Sequence, residues 1–200
     1  MADPATALSL AEHEQQRVAC QLAARIITGD DTTPAAQTEA SGRAAAVLLD
    51  EIDRFLSELA TGRSLSTPQA VRLTGLQSHD EVLRSLHETL GDLAGRLNDP
   101  TTHLPERLAV TLREGLGVTL LMAEDAARSS APEDIDLLLS VTPDRGAMVE
   151  QIRFQAMVTR TDGDTSDHRA IYVVTALYEQ TVWLLRRYGT LLEASVTLAA

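Results

Sequence analysis

Two stretches, Val82-Leu83-Arg84-Ser85-Leu86-His87-Glu88-Thr89-Leu90-Gly91-Asp92-Leu93 and Val173-Val174-Thr175-Ala176-Leu177-Tyr178-Glu179-Gln180-Thr181-Val182-Trp183-Leu184, carry the same kind of pattern. In each, apolar residues recur at steps of three and four, the period of one helix face, and a glutamate stands in the middle. The glutamates lie 91 positions apart (179 − 88), and the same offset lays Arg96 on Arg187 and Asp53-Arg54 on Asp144-Arg145. A period this long points to two equivalent structural units in one chain.

Outward from these stretches the helical period continues almost everywhere, and no segment sustains strand-like alternation. A first helix is expected from about Leu8 to Ile27, with Val18, Leu22 and Ile26 on its inner face, and a second from Gln37 to Ala60, burying Leu48, Ile52, Phe55, Leu56 and Leu59. Ser66-Thr67-Pro68 opens a third, with a cap residue ahead of a first-turn proline, and its seam Leu83, Leu86, Leu90, Leu93, Leu97 suits packing on other helices. Gly75 and Ser78 are expected to loosen it. After the breakers Asn98-Asp99-Pro100 a fourth helix runs from Pro105 to Arg128. A fifth starts at Pro132 and is expected to kink or split at Pro143, and a sixth follows the loop Thr161–Asp167 to about Leu192. The expected fold is all-α: six helices as two tandem antiparallel three-helix bundles, over residues 1–98 and 106–200 with a junction at 99–105.

Composition sets the outer bounds. All seventeen basic residues are arginine, and the formal charge is −12. The acidity is spread, with eight arginines against fifteen acids in the first hundred residues and nine against fourteen in the second. No basic patch of the kind nucleic acid requires is visible, so no nucleic-acid partner is expected. The single cysteine, Cys20, reads as a small buried hydrophobe rather than a reactive thiol. No apolar run approaches the ~20 residues of a membrane span, and the start carries no signal-peptide pattern. A cytoplasmic protein is expected.

His87-Glu88-Thr89-Leu90-Gly91-Asp92 is similar to the E-x-x-G-D helix signature of PhoU-type domains. Tyr178-Glu179-Gln180-Thr181-Val182-Trp183-Leu184-Leu185-Arg186-Arg187-Tyr188 resembles the closing helix of the PhoU-like region in bacterial sodium/phosphate cotransporters, and Asp50-Glu51-Ile52-Asp53 their second helix. The resemblance implies two three-helix bundles and a role in phosphate homeostasis, as a free regulator or as the cytoplasmic region of a transporter. It also implies metal binding through repeated E(D)-x-x-x-D motifs. Only one such half-site stands here, Glu88 and Asp92, because Trp183 occupies the acid position of the second unit, while Ala46 and Gly146 stand four residues before Asp50 and Glu150.

Glu88 and Asp92, one turn apart, are the candidate metal ligands, and a divalent ion that prefers oxygen donors is the candidate cofactor. On a helical count both lie away from the leucine seam, where a solvated acidic face is the plainer reading. His87-Glu88 is not a zinc-protease motif, since Gly91 stands where the second histidine belongs. Asp162, Asp164 and Asp167 lack the glycine and the closing acid of a calcium loop and read as a capping loop. Tyr172, Glu179, Trp183 and Arg186 share one helix face, and Tyr, Trp and Arg are the residue types enriched at binding hot spots. They form the candidate partner surface, although packing of Trp183 between the two units is the first expectation for it. Arg186 and Arg187 also suit a helix C-terminus, where cations complement the dipole.

The functional expectation is a non-enzymatic regulatory domain of sodium-dependent phosphate transport. Its expected partners are a membrane phosphate transporter, or that transporter's transmembrane portion, and a second copy of the chain; its expected place is the inner face of the cell membrane. Two alternatives stand beside it: a helical interaction protein unconnected with phosphate, and a carboxylate- and metal-dependent hydrolase using Glu88, Asp92 and Asp50. Against the hydrolase, the sequence shows no nucleophile elbow, phosphate loop or paired histidines.

Overall fold

A computed structural model of the chain describes residues 3–27, 35–62, 64–99, 101–102, 104–143, 146–158 and 165–199. These residues are helical apart from short connections, with no strand among them. Among the described residues seven helices follow in order: α1 Pro4–Ile27, α2 Ala35–Gly62, α3 Thr67–Asn98, α4 Glu106–Ser129, α5 Pro132–Val141, α6 Gly146–Val158 and α7 Thr165–Ala199. The count corrects the expected six. The fifth helix divides at Thr142-Pro143 because proline lacks the N–H that would continue the ladder and its ring crowds the preceding turn. The aspartates of the 161–167 loop lie outside the described residues, except that α7 already includes Asp167. α3 runs without a break through Gly75 and Ser78, held by buried Leu73, Leu76, Val82 and Leu83.

Local chemistry fixes the helix ends. The Ser66 N–H donates to Gln69 Oε1 at 3.0 Å and Pro68 sits in the first turn of α3. Ser130 takes the left-handed conformation (φ 50°) and its N–H donates to Ala126 O at 3.0 Å, closing α4. The Ser129 hydroxyl then donates to Asp134 at 2.5 Å and accepts the Ala131 N–H at 3.0 Å, which sets the tight turn into α5. Between α3 and α4, Asp99 accepts the Thr101 N–H at 2.8 Å and its hydroxyl at 2.7 Å, and Arg113 of α4 donates to the Leu97 carbonyl at 2.8 Å.

α1, α2 and α3 pack on one another, as do α4, α5 and α7, while α6 lies on α7. The two groups meet where α3 packs on α7 and α1 on α4. One continuous core joins them, with Leu22, Leu83, Leu93, Leu116, Ile135 and Ile171 among its fully buried members. Its polar members are few. Gln15 Nε2 donates to Leu76 O at 2.7 Å, and His79 lies beneath α7 with its ring 5.8 Å from that of Tyr188. Cys20 is free and half-buried, and burial raises its thiol above the ordinary value.

The buried positions repeat at more than one spacing. Ala7, Ala11, Val18 and Leu22 of α1 recur as Leu108, Leu112, Thr119 and Ala123 of α4, an offset of 101 (108 − 7). Leu76, Leu83, Leu86 and Leu90 of α3 recur as Tyr178, Leu185, Tyr188 and Leu192 of α7, an offset of 102 (178 − 76). The same four also recur as Ile171, Tyr178, Thr181 and Leu185, an offset of 95 (171 − 76). Eleven residues turn a helix by about 1100°, only ~20° beyond three full turns, so offsets of 91 and 102 lay nearly the same faces on one another. At an offset of 102 Glu81 falls on Trp183 and Arg84 on Arg186, at 95 Glu88 falls on Trp183, and at 91 Asp92 does; all three acids are exposed.

Candidate functional site

The break between α5 and α6 creates the site. α5 ends at Val141, and Thr142 bonds back through its hydroxyl to Leu138 O at 2.7 Å. The carbonyls left open at this end are met from α7: Arg186 Nη1 donates to Leu139 O at 2.9 Å and to Thr142 O at 3.2 Å. Arg186 thus complements a helix C-terminus, as a cation should, but the helix is α5 rather than its own. Its counterpart Arg84 also reaches from a closing helix to a second helix, donating to Asp50 of α2 at 2.6 Å.

Beneath the break lies a groove of about 650 Å³, walled by Thr142, Pro143 and Val149 and floored on α7 by Ala176, Glu179, Val182 and Trp183, with Arg186 at its edge. Both the volume and the mostly apolar lining suit a bound side chain or small ligand. Glu179 is fixed from α6, where Arg153 is only 9% exposed. Its Nε donates to Thr175 Oγ1 at 2.7 Å, its Nη1 to Glu150 at 2.5 Å and its Nη2 to Glu179 at 3.3 Å, while the guanidinium lies 5.5 Å from the Tyr172 ring centre. Trp183 is 56% exposed and Tyr172 46%. Arg187 lies 5.7 Å over the indole and approaches Glu81 of α3 at 3.6 Å.

Of the residues singled out in the sequence, Glu179, Trp183 and Arg186 line this groove and Tyr172 continues the same face. Trp183 is not packed between the two helix groups; α7 turns its other faces toward α3, α4 and α5 and leaves the indole at the surface. Glu88 and Asp92 are both exposed on α3, and among the described residues no group of three or more His, Cys, Asp or Glu side chains is placed to hold a metal ion. Asp50, the third ligand of the hydrolase alternative, faces the Arg84 guanidinium. Arg153 was not singled out in the sequence. Its only signal was a charge set between apolar Ile152 and Phe154, with Glu150 three residues before it on the same helix.

Asp80 is the second residue that sequence patterning passed over. It is 4% exposed, its Oδ1 has no hydrogen-bond partner, and Arg84 is 3.6 Å from Oδ2. Burial pushes its carboxyl up to about 6, Arg84 opposing and Asp53 and Asp50 adding to the rise. A folded value above the unfolded one means that this group favours folding most below pH 3.8 and loses that contribution as pH rises through 6. Asp80→Asn, which mimics the protonated acid, is therefore expected to stabilise the protein by ~2 kcal/mol at pH 7.5 and by little at pH 4. Urea unfolding at the two pH values measures it; a variant less stable than the parent at pH 7.5 would show that the charge pair with Arg84 outweighs the desolvation.

Comparison with protein-family models, with curated proteins and with solved structures finds no match. Among the described residues no helix is long and apolar enough to cross a membrane.

Proposed function

We propose that this chain is a non-enzymatic docking module, built as two PhoU-like three-helix units, that regulates phosphate transport by presenting the α7 face to a protein partner at the cytoplasmic side of the membrane. The observation that carries the docking role is Trp183. An indole 56% exposed, beside a groove and with Tyr172 three turns away on the same face, is the arrangement of an interface anchor rather than of a core residue. The matching position of α3 carries an exposed acid at every offset that aligns the two helix faces, Glu81, Glu88 or Asp92. Two helices with matching buried faces thus differ on their outer faces, one polar and one aromatic. The recurrence of buried positions from α1 to α4 and from α3 to α7 supports the reading of paired units. The phosphate connection rests on the resemblance of 87–92 and 178–188 to PhoU-type helices.

A deletion strain of the source organism separates these elements. Phosphate uptake under phosphate limitation should change on deletion and be restored by the parent chain but not by Trp183→Asp. Unchanged uptake on deletion ends the phosphate reading and leaves the helical interaction protein without that connection. Full rescue by Trp183→Asp removes the α7 face from the function.

A further inference from the structure

Along α7, Tyr172, Ala176, Glu179, Trp183, Arg186 and Thr190 follow one another at steps of four and three, all exposed except the half-buried Glu179. This is the spacing of a seam that packs on another helix. α5 and α6 of the same chain reach its edge, through Arg186 on the α5 carbonyls and Arg153 at Glu179 and Tyr172, and leave Trp183 56% exposed. The order of charges along the stripe tells what fits it. In an antiparallel pair of identical helices related by a two-fold axis, a residue n places after the centre meets the residue n places before it in the other copy. With the axis at Trp183, Arg187 meets Glu179, Arg186 meets Gln180 and Thr190 meets Ala176. Every charge then faces an opposite charge or a neutral group, the two indoles meet at the centre, and small side chains on either side let the helices approach.

Neither alternative pairing works as well. A parallel pair sets Arg187 against Arg187 and Glu179 against Glu179. The corresponding stripe of α3, centred on Glu81, would place two carboxylates on the axis. Both Arg187 and Glu179 have room for a second partner: their side chains are 43% and 41% exposed, although Arg187 also lies over the Trp183 ring and approaches Glu81 at 3.6 Å, and Glu179 accepts from Arg153 at 3.3 Å. We propose that a second copy of this chain docks on the α7 stripe, forming an antiparallel two-fold dimer centred on Trp183 and clamped at both ends by Glu179–Arg187 pairs. The proposal rests on the α7 face being the docking surface and gives that surface its occupant. A single helix stripe covers less than the ~800 Å² per partner of a standard stable interface, so the dimer should dissociate at roughly micromolar concentration.

Trp183 is the only tryptophan in the chain, so its fluorescence reports on the axis of the dimer directly. Sedimentation of the full chain between about 1 and 100 μM should show the mass rising from 21.6 kDa toward twice that value, with the emission shifting to the blue over the same range. Glu179→Arg and Arg187→Glu should each weaken association at least ~10-fold, and the double reversal should restore it because the pairs re-form with opposite polarity. Circular dichroism melts establish that each variant is folded, and the double variant keeps the test decisive if a single reversal disturbs the Arg153 or Glu81 contact. A monomer at every concentration with unshifted emission overturns the dimer, as does association indifferent to the single reversals or not rescued by the double. If the chain is monomeric yet Trp183→Asp still fails to restore phosphate uptake, the α7 face serves another protein and only the dimer falls. If it dimerises as described yet Trp183→Asp restores uptake, the dimer stands and the regulatory role of that face falls.

Discussion

Replacing Arg153 with alanine is expected to cost about 2 kcal/mol of stability and to free α6 before the rest of the chain unfolds. The guanidinium is nearly buried and serves four groups at once: Thr175, Glu150, Glu179 and the Tyr172 ring. Removing one member of a buried charge pair costs ~3–5 kcal/mol when the other is left stranded. Here the stranding is partial. Glu150 is 64% exposed and Glu179 41%, so water takes back much of what the arginine supplied. Thr175 still donates to Ile171 O at 2.7 Å but loses the donor it accepts from. The damage is local because α6 packs chiefly on α7. Hydrogen exchange over residues 146–158 should accelerate well ahead of that in α3 and α4. Arg153→Lys should recover only part of the loss, since an ammonium cannot span Thr175 and two carboxylates with the geometry of a planar fork. A variant with parent-like stability and unchanged exchange in α6 would show that shape, rather than this network, holds α6 to α7.

The helices, and the face of α7 that carries Tyr172, Glu179, Trp183 and Arg186, were legible because both follow from the 3.6-residue period alone. Other features depend on neighbours that no local pattern names. The period fixes where Trp183 points relative to the buried side of its own helix, but only the placement of α3, α4 and α5 decides whether anything covers it. Packing between units was therefore a fair expectation, and it failed: the neighbours of α7 take the faces of Val174, Tyr178, Leu185 and Tyr188. The repeat spacing is set by neighbours too, since a shift of three turns leaves nearly every face of a helix matched. Pro143 announced the division of the fifth helix, whereas the groove beneath it needed α7 for a floor. Asp80 and Arg153 look like ordinary surface charges in the sequence. Burial, which gives them their properties, is set by the packing of α3 and α6 on other helices.

Trp183→Asp should leave the stability within ~1 kcal/mol of the parent while weakening docking on α7 at least ~30-fold. Stability is insensitive because a side chain more than half exposed has little burial to lose on truncation; what goes is one stacking contact with Arg187, worth ~0.5–1 kcal/mol at an exposed site. Docking is sensitive because the same indole would be buried by a partner. A central aromatic anchor typically carries ~2 kcal/mol or more of an interface, and a carboxylate in its place would also have to be desolvated. Trp183→Phe should keep most of the affinity, since a phenyl ring fills much of the same space and remains apolar. Thermal and urea unfolding followed by circular dichroism, which does not rely on the lost fluorophore, gives the first quantity, and sedimentation with the parent chain as reference gives the second. A large fall in stability would return Trp183 to the core, against its exposure here. Unchanged stability together with unchanged association and unchanged phosphate uptake would leave the indole without a role on this face. The outcome expected from the geometry is the split: a fold that does not depend on Trp183 and an interface that does.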